Sequence, residues 1–238
     1  MEEELSAGRF IERLAALVPA AGRAEVQRAQ RTRRRHSDGE YAGFGIRSGS
    51  IFELAKEFID LPLAEIDRLL DSSVHEVRVG ALSVMDKQAR RNKTSEEHRK
   101  ELFDLYLRRS DRIDSWDLVD LGAPYVVGRY LWDKPRKALY RLARSKSPWE
   151  RRSAIVSTLY LVRKGDVEDT FELATLLLDD DHDSVRKATG GLLREAGKKD
   201  PKRLRAFLDD HAAEMARTTL SFAMEHLSPS ERAHYRGL

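Results

Sequence analysis

The chain contains no cysteine, which excludes disulfides, thiolate nucleophiles and cysteine-ligated zinc. No apolar run approaches the ~20 residues that a membrane-spanning helix requires. The opening "MEEELSAGRF" lacks the basic and apolar regions of a secretory leader. These absences lead us to expect a cytoplasmic protein with no membrane partner. The seven histidines never come closer than eight positions (His226 and His234), so no metal-ligand pair stands out. "GFGIRSG" at 43–49 places Ser48 where a dinucleotide fingerprint needs glycine, and no strand-like segment precedes it. We read it as a turn before a helix at 50–60. With no P-loop or nucleophile elbow either, we expect neither metal nor cofactor.

Helical periodicity fills the chain instead. "IFELAKEFIDL", "RVGALSVMDKQARR", "KELFDLYLRR" and "SAIVSTLYLVRK" all repeat apolar residues at three- and four-residue spacing. Gly49, Pro62, the "KTS" at 93–95, Pro135, Pro148, Gly165, Pro201 and Pro229 interrupt the pattern every dozen to twenty residues. The spacing predicts short helices joined by tight turns. With 41% apolar residues, the 238-residue chain is long enough for a sizeable core, and its 35% charged residues fit a large exposed surface.

A repeat is visible in "HEVRVGAL" (75–82), "WERRSAIV" (149–156) and "DSVRKATGGLL" (183–193). Aligning Arg78, Arg151 and Arg186 gives spacings of 73 and 35, which leaves room for one more copy where "SWDLVDLGAP" stands. A weaker copy, "EMARTTLSFAM", follows at 214–224. Such periods indicate stacked helix pairs of the HEAT type. We expect an all-α, right-handed superhelical solenoid with a concave face, forming a single domain over 1–238.

Net charge is only +3, but its distribution is uneven. From Lys134 to Lys164 ten Lys or Arg residues face the lone acid Glu150, and from Arg186 to Arg205 eight face Glu195 and Asp200. Between them, Asp166 to Asp183 holds eight acids and no Lys or Arg. This sorting predicts one acidic face and one basic face, the latter suited to a polyanion. "RRRH" at 33–36 reads as a basic loop, either solvated or placed on phosphates.

Within "SWDLVD", Trp116 and Asp120 are four residues apart and should share one helix face. Two readings fit. Ser115 or Asp114 caps the helix, Asp117 complements its dipole, Trp116 packs and Asp120 partners a repeat arginine. Alternatively, a carboxylate stands beside an aromatic wall in a site. In "SPWERRSAIV", only one of Arg151 and Arg152 can take the repeat's structural role, leaving the other for a ligand.

"HEVRVGAL", "SWDLVDLGAPYVVG", the W-x-x-R-x-A-I pattern at 149–155 and "KATGGLLRE" (187–195) occur in an order and spacing that resembles the AlkD-like DNA alkylation repair family, from about residue 25 onward. "GFGIR" fits the same pattern. The resemblance implies a DNA glycosylase that excises purines alkylated at N3 or N7 from double-stranded DNA, acting as a monomer. It makes Asp120 the catalytic carboxylate, Trp116 and the position of Gly191 lesion contacts, and Arg152, with Arg151 and Arg194, contacts to DNA. The family's "GWxLRE" motif reads "GGLLRE" here, with Gly191 in place of Trp. That departure keeps open a second reading, a helical-repeat DNA-binding protein that has lost excision.

Overall fold

A computed structural model of the protein describes residues 5–18 and 45–238. The basic run at 33–36 and the first two residues of "GFGIRSG" lie outside them. The described residues are all-helical, as expected, with thirteen α-helices and no strand. The chain divides into two compact units, Met1–Tyr130 and Leu131–Leu238.

The first unit contains α1 (Ala7–Ala16), α2 (Ser48–Glu57), α3 (Leu63–Leu70), α4 (His75–Arg90), α5 (Glu96–Arg108) and α6 (Trp116–Gly122). A single 3-10 turn, Ser110–Arg112, precedes α6, and a π-helical segment, Ala123–Gly128, follows it. Most of α4 is buried, because α2, α3, α5 and α6 all pack on it. Phe10 and Phe58 meet edge-to-face with ring centroids 5.1 Å apart in this core.

The second unit contains α7 (Lys137–Ala143), α8 (Pro148–Arg163), α9 (Glu168–Leu176), α10 (Asp183–Lys199), α11 (Pro201–His211), α12 (Arg217–Ala223) and α13 (Pro229–Arg236). Here α10 is central, packed by α8, α9, α11 and α12 around Phe171, Leu193, Leu208 and Leu220. The prolines that break the sequence pattern mostly open helices. Pro148, Pro201 and Pro229 each stand at a first helical position, where the missing N–H costs nothing. Gly49, read as the last residue of a turn before the helix, is already helical. It lies in the first turn of α2, with open space around it.

The repeat arginines share one geometry. Arg78, Arg151 and Arg186 are each the fourth residue of their helix, and each guanidinium donates to the carbonyl six residues upstream, on Ser72, Ser145 and Asp180. The arginine thereby pins the turn that feeds its own helix. Two of them also take a carboxylate from later in the chain: Arg78 pairs with Asp114, and Arg151 with Asp180 and Asp181. Arg217 of the weaker copy opens α12 and donates to the Arg236 carbonyl instead, so it does not share this role.

Part of the charge sorted along the chain is paired off within the second unit. The acidic segment neutralises part of the basic ones: Arg136 pairs with Asp166 and Asp169, Arg151 with Asp180, and Arg203 with Glu168. Opposite charges segregated along a chain find each other when helices pack side by side. Lys137, Arg141 and Arg144, spaced along one side of α7, stay exposed and outside any ion pair among the described residues, as does Lys146.

At the end of the second unit, α13 begins with a capping box. The Glu231 carboxylate accepts from the Ser228 hydroxyl at 2.6 Å, the Ser228 N–H at 2.8 Å and Arg205 at 2.7 Å. The Ser228 hydroxyl and Arg205 together hold the carboxyl down at about 2. A depressed carboxylate stabilises the fold above its ordinary range and loses that contribution as pH falls through the depressed value. We therefore expect the amides of 228–236 to stay protected at pH 4.5 and lose protection as the pH falls toward 2. In Ser228→Ala, the Glu231 carboxyl should titrate nearer its ordinary value, readable by NMR.

Candidate functional site

In the first unit, the candidate residues stand on α6. Its seven residues bury Leu118, Val119 and Gly122 against the unit's core and leave Trp116 (40% exposed) and Asp120 outside. Trp116 and Asp120 thus share the outward face, one turn apart, as the spacing predicted. Gly122 lets α6 approach α4 and α5 closely: a Cβ there would fall 2.6 Å from the side chains of Leu82 and Tyr106. Val119, fully buried, takes the position in α6 that the repeat arginines occupy elsewhere. Asp120 is the next residue, in the same helical register as Arg152 in α8.

After Gly122 the helix changes its winding. Pro124 has no N–H to give to the Asp120 carbonyl, and the following turn is π-helical, with Arg129 N–H donating to the Pro124 carbonyl at 3.0 Å. Arg90 reinforces this turn. Its guanidinium lies 3.5 Å from the Tyr125 ring centroid, and its carbonyl accepts from Arg129 at 2.7 Å. The signal for the π segment was present as a proline inside an apolar helical pattern, but nothing local told a kink from a helix start.

Of the two residues proposed to cap α6, Ser115 holds the N-cap position but its side chain makes no cap hydrogen bond. Its hydroxyl donates to Asp117 at 2.6 Å, and the other Asp117 oxygen accepts from His75 Nε2 at 2.7 Å. Asp114 is a partner of the repeat arginine Arg78. Sequence reading missed His75, 42 residues away from its carboxylate, since nothing in "HEVR" marks the histidine as paired.

In the second unit, Arg151 takes the structural role described above. Arg152 is 8% exposed and donates to the carbonyl and hydroxyl of Ser184 in the first turn of α10. Arg194 pairs with Glu195 and Glu225. The paired glycines of "GGLLRE" differ sharply. A Cβ on Gly190 would fall 2.4 Å from the Thr219 carbonyl oxygen of α12, whereas one on Gly191 would meet nothing within 4 Å. Gly190 is the close-packing glycine, and Gly191 opens outward. No group of His, Asp and Glu that could hold a metal occurs among the described residues, and none of their helices is long and apolar enough to cross a membrane.

These features define a protein whose described residues are all-helical and whose helix α6 presents an aromatic–carboxylate pair. The family model described as DNA alkylation repair enzyme matches residues 13–227, and the chain belongs to that family. Among solved structures, it is similar in fold to one described as "Predicted DNA alkylation repair enzyme from Enterococcus faecalis". The match has a TM-score of 0.68 and 15% identity over 87% of this chain and 97% of the other. No curated protein matches the chain.

Proposed function

We propose that the protein is a DNA glycosylase that hydrolyses the N-glycosidic bond of purines carrying an alkyl group at N3 or N7, as a monomer and without metal or cofactor. The observation that carries this reading is the exposed Trp116–Asp120 pair on α6, in a chain of the DNA alkylation repair family. Bond cleavage passes through an oxocarbenium-like state. A purine alkylated at N3 or N7 is already cationic, so its departure needs no protonation. One carboxylate, Asp120, then stabilises the sugar cation and orients water. The Trp116 face beside a cationic base contributes roughly 0.5–2 kcal/mol.

Incubation with methylated duplex DNA should release free 3-methyladenine or 7-methylguanine, identified chromatographically. Binding of the duplex without release would favour the second reading, a DNA-binding protein that has lost excision, which Gly191 in place of the family's Trp supports. No binding at all would point to a protein scaffold and reject both.

The exposed stripe Lys137, Arg141 and Arg144 supports contact with phosphates, and we assign Arg152 a DNA-backbone contact as well. Affinity should then fall steeply with salt, each lost phosphate contact reducing the slope by about 0.9. We expect the triple alanine variant of the stripe to lose two to three contacts' worth of slope, and Arg152→Ala one, in a salt titration of duplex binding. Salt-independent binding would reject the assignment.

A further inference from the structure

The α-helical run carrying Trp116 and Asp120 is seven residues long, continues into the π-helical segment Ala123–Gly128, and starts without a side-chain cap. Isolated helices of this length do not hold together in water, because too few hydrogen bonds offset the cost of nucleation. Something outside α6 must fix its first turn. Asp117, the second residue, is gripped on both carboxylate oxygens: one accepts from Ser115 at 2.6 Å and the other from His75 Nε2 at 2.7 Å. His75 opens α4, the buried central helix of the unit, and is itself only 3% exposed. One turn further along α4, Arg78 holds Asp114, two residues before α6, at 3.0 Å. The approach to α6 and its first turn are therefore tied to one rigid helix at two points.

We propose that His75, Asp117 and Ser115 form a positioning clamp that sets the rotation of α6 about its axis, and with it the direction in which Trp116 and Asp120 face the substrate. Asp117 is adjacent to Trp116 and three residues before Asp120, so the clamp acts at the hinge of the pair and not on the substrate. The two carboxylate oxygens serve the two partners separately, so an amide, which accepts from Ser115 and donates to His75 when the imidazole proton sits on Nδ1, keeps both ties. An ordinary N-cap would satisfy one N–H but would not tie α6 to α4. This inference rests on the function proposed above for the same helix.

The test uses the full chain and two readouts. Single-turnover release from methylated duplex should fall about tenfold in Asp117→Ala, with duplex affinity within twofold of the parent. Asp117→Asn keeps an acceptor for Ser115 and a polar partner for His75, and should restore most of the rate. Lys100→Ala, on an exposed pair in α5, should leave the rate unchanged. In parallel, hydrogen exchange of the amides at 115–120 should accelerate in Asp117→Ala and not in Asp117→Asn, while protection of α4 persists. An Asp117→Ala variant with the parent's rate and exchange overturns the clamp, as does acceleration spread over the whole unit. If the parent itself releases no base, the proposed function fails, and the exchange comparison alone still decides the clamp.

Discussion

Replacing Asp120 by Asn is expected to lower base release by at least about tenfold, equivalent to ~1.4 kcal/mol of barrier, with duplex affinity little changed. The substitution keeps shape and helix register but removes the negative charge that would face the developing sugar cation. Asp120 lies on the exposed face of α6, away from the buried Leu118 and Val119, so the core should not register the change. A thermal midpoint equal to the parent's, together with the lost rate, identifies a transition-state interaction and not a folding defect. A variant that releases base at the parent's rate would remove Asp120 from the mechanism. The same experiment with Trp116→Ala should weaken binding of the cationic base as well, since an aromatic face interacts with that charge before and during cleavage.

The order of these elements explains why some of the site was legible in the sequence and some was not. Helices, their proline-marked starts and the shared face of Trp116 and Asp120 follow from spacings of four residues or fewer, which the backbone converts directly into direction. The repeat arginines were also visible, because each one binds a carbonyl six residues before it and so works within its own segment. The His75–Asp117 bond spans 42 residues and depends on α6 packing against α4; neither residue is unusual in its local pattern. Ion pairing was hidden for the same reason. Arg136, Arg151 and Arg203 belong to basic segments along the chain, yet they meet Asp166, Asp180 and Glu168 once the helices are side by side. What survives as basic surface is the part with no acid within reach, such as the stripe on α7.

The two glycines of "GGLLRE" should respond in opposite ways to the same substitution. At Gly190 a side chain has no room: its first carbon would collide with the Thr219 carbonyl and the Phe222 Cβ of α12, backbone and near-backbone atoms that cannot swing aside. Overpacking of a core costs ~1–3 kcal/mol or more, so Gly190→Trp should lower the melting temperature markedly or fail to fold. At Gly191 the space is open, and replacing a helical glycine removes a penalty of up to ~1 kcal/mol relative to better helix formers. Gly191→Trp should therefore fold with a melting temperature at or above the parent's. Its effect on chemistry then separates the two functional readings. If Gly191 lines the lesion site, the added indole should raise excision of small methylated bases and reduce excision of bulkier alkyl adducts, measured as the ratio of single-turnover rates on the two duplexes. A gain in excision by Gly191→Trp over an inactive parent would identify the parent as a binding protein that lost its activity with the indole. A folded Gly191→Trp whose rate ratio equals the parent's would show that this position faces solvent and not the lesion.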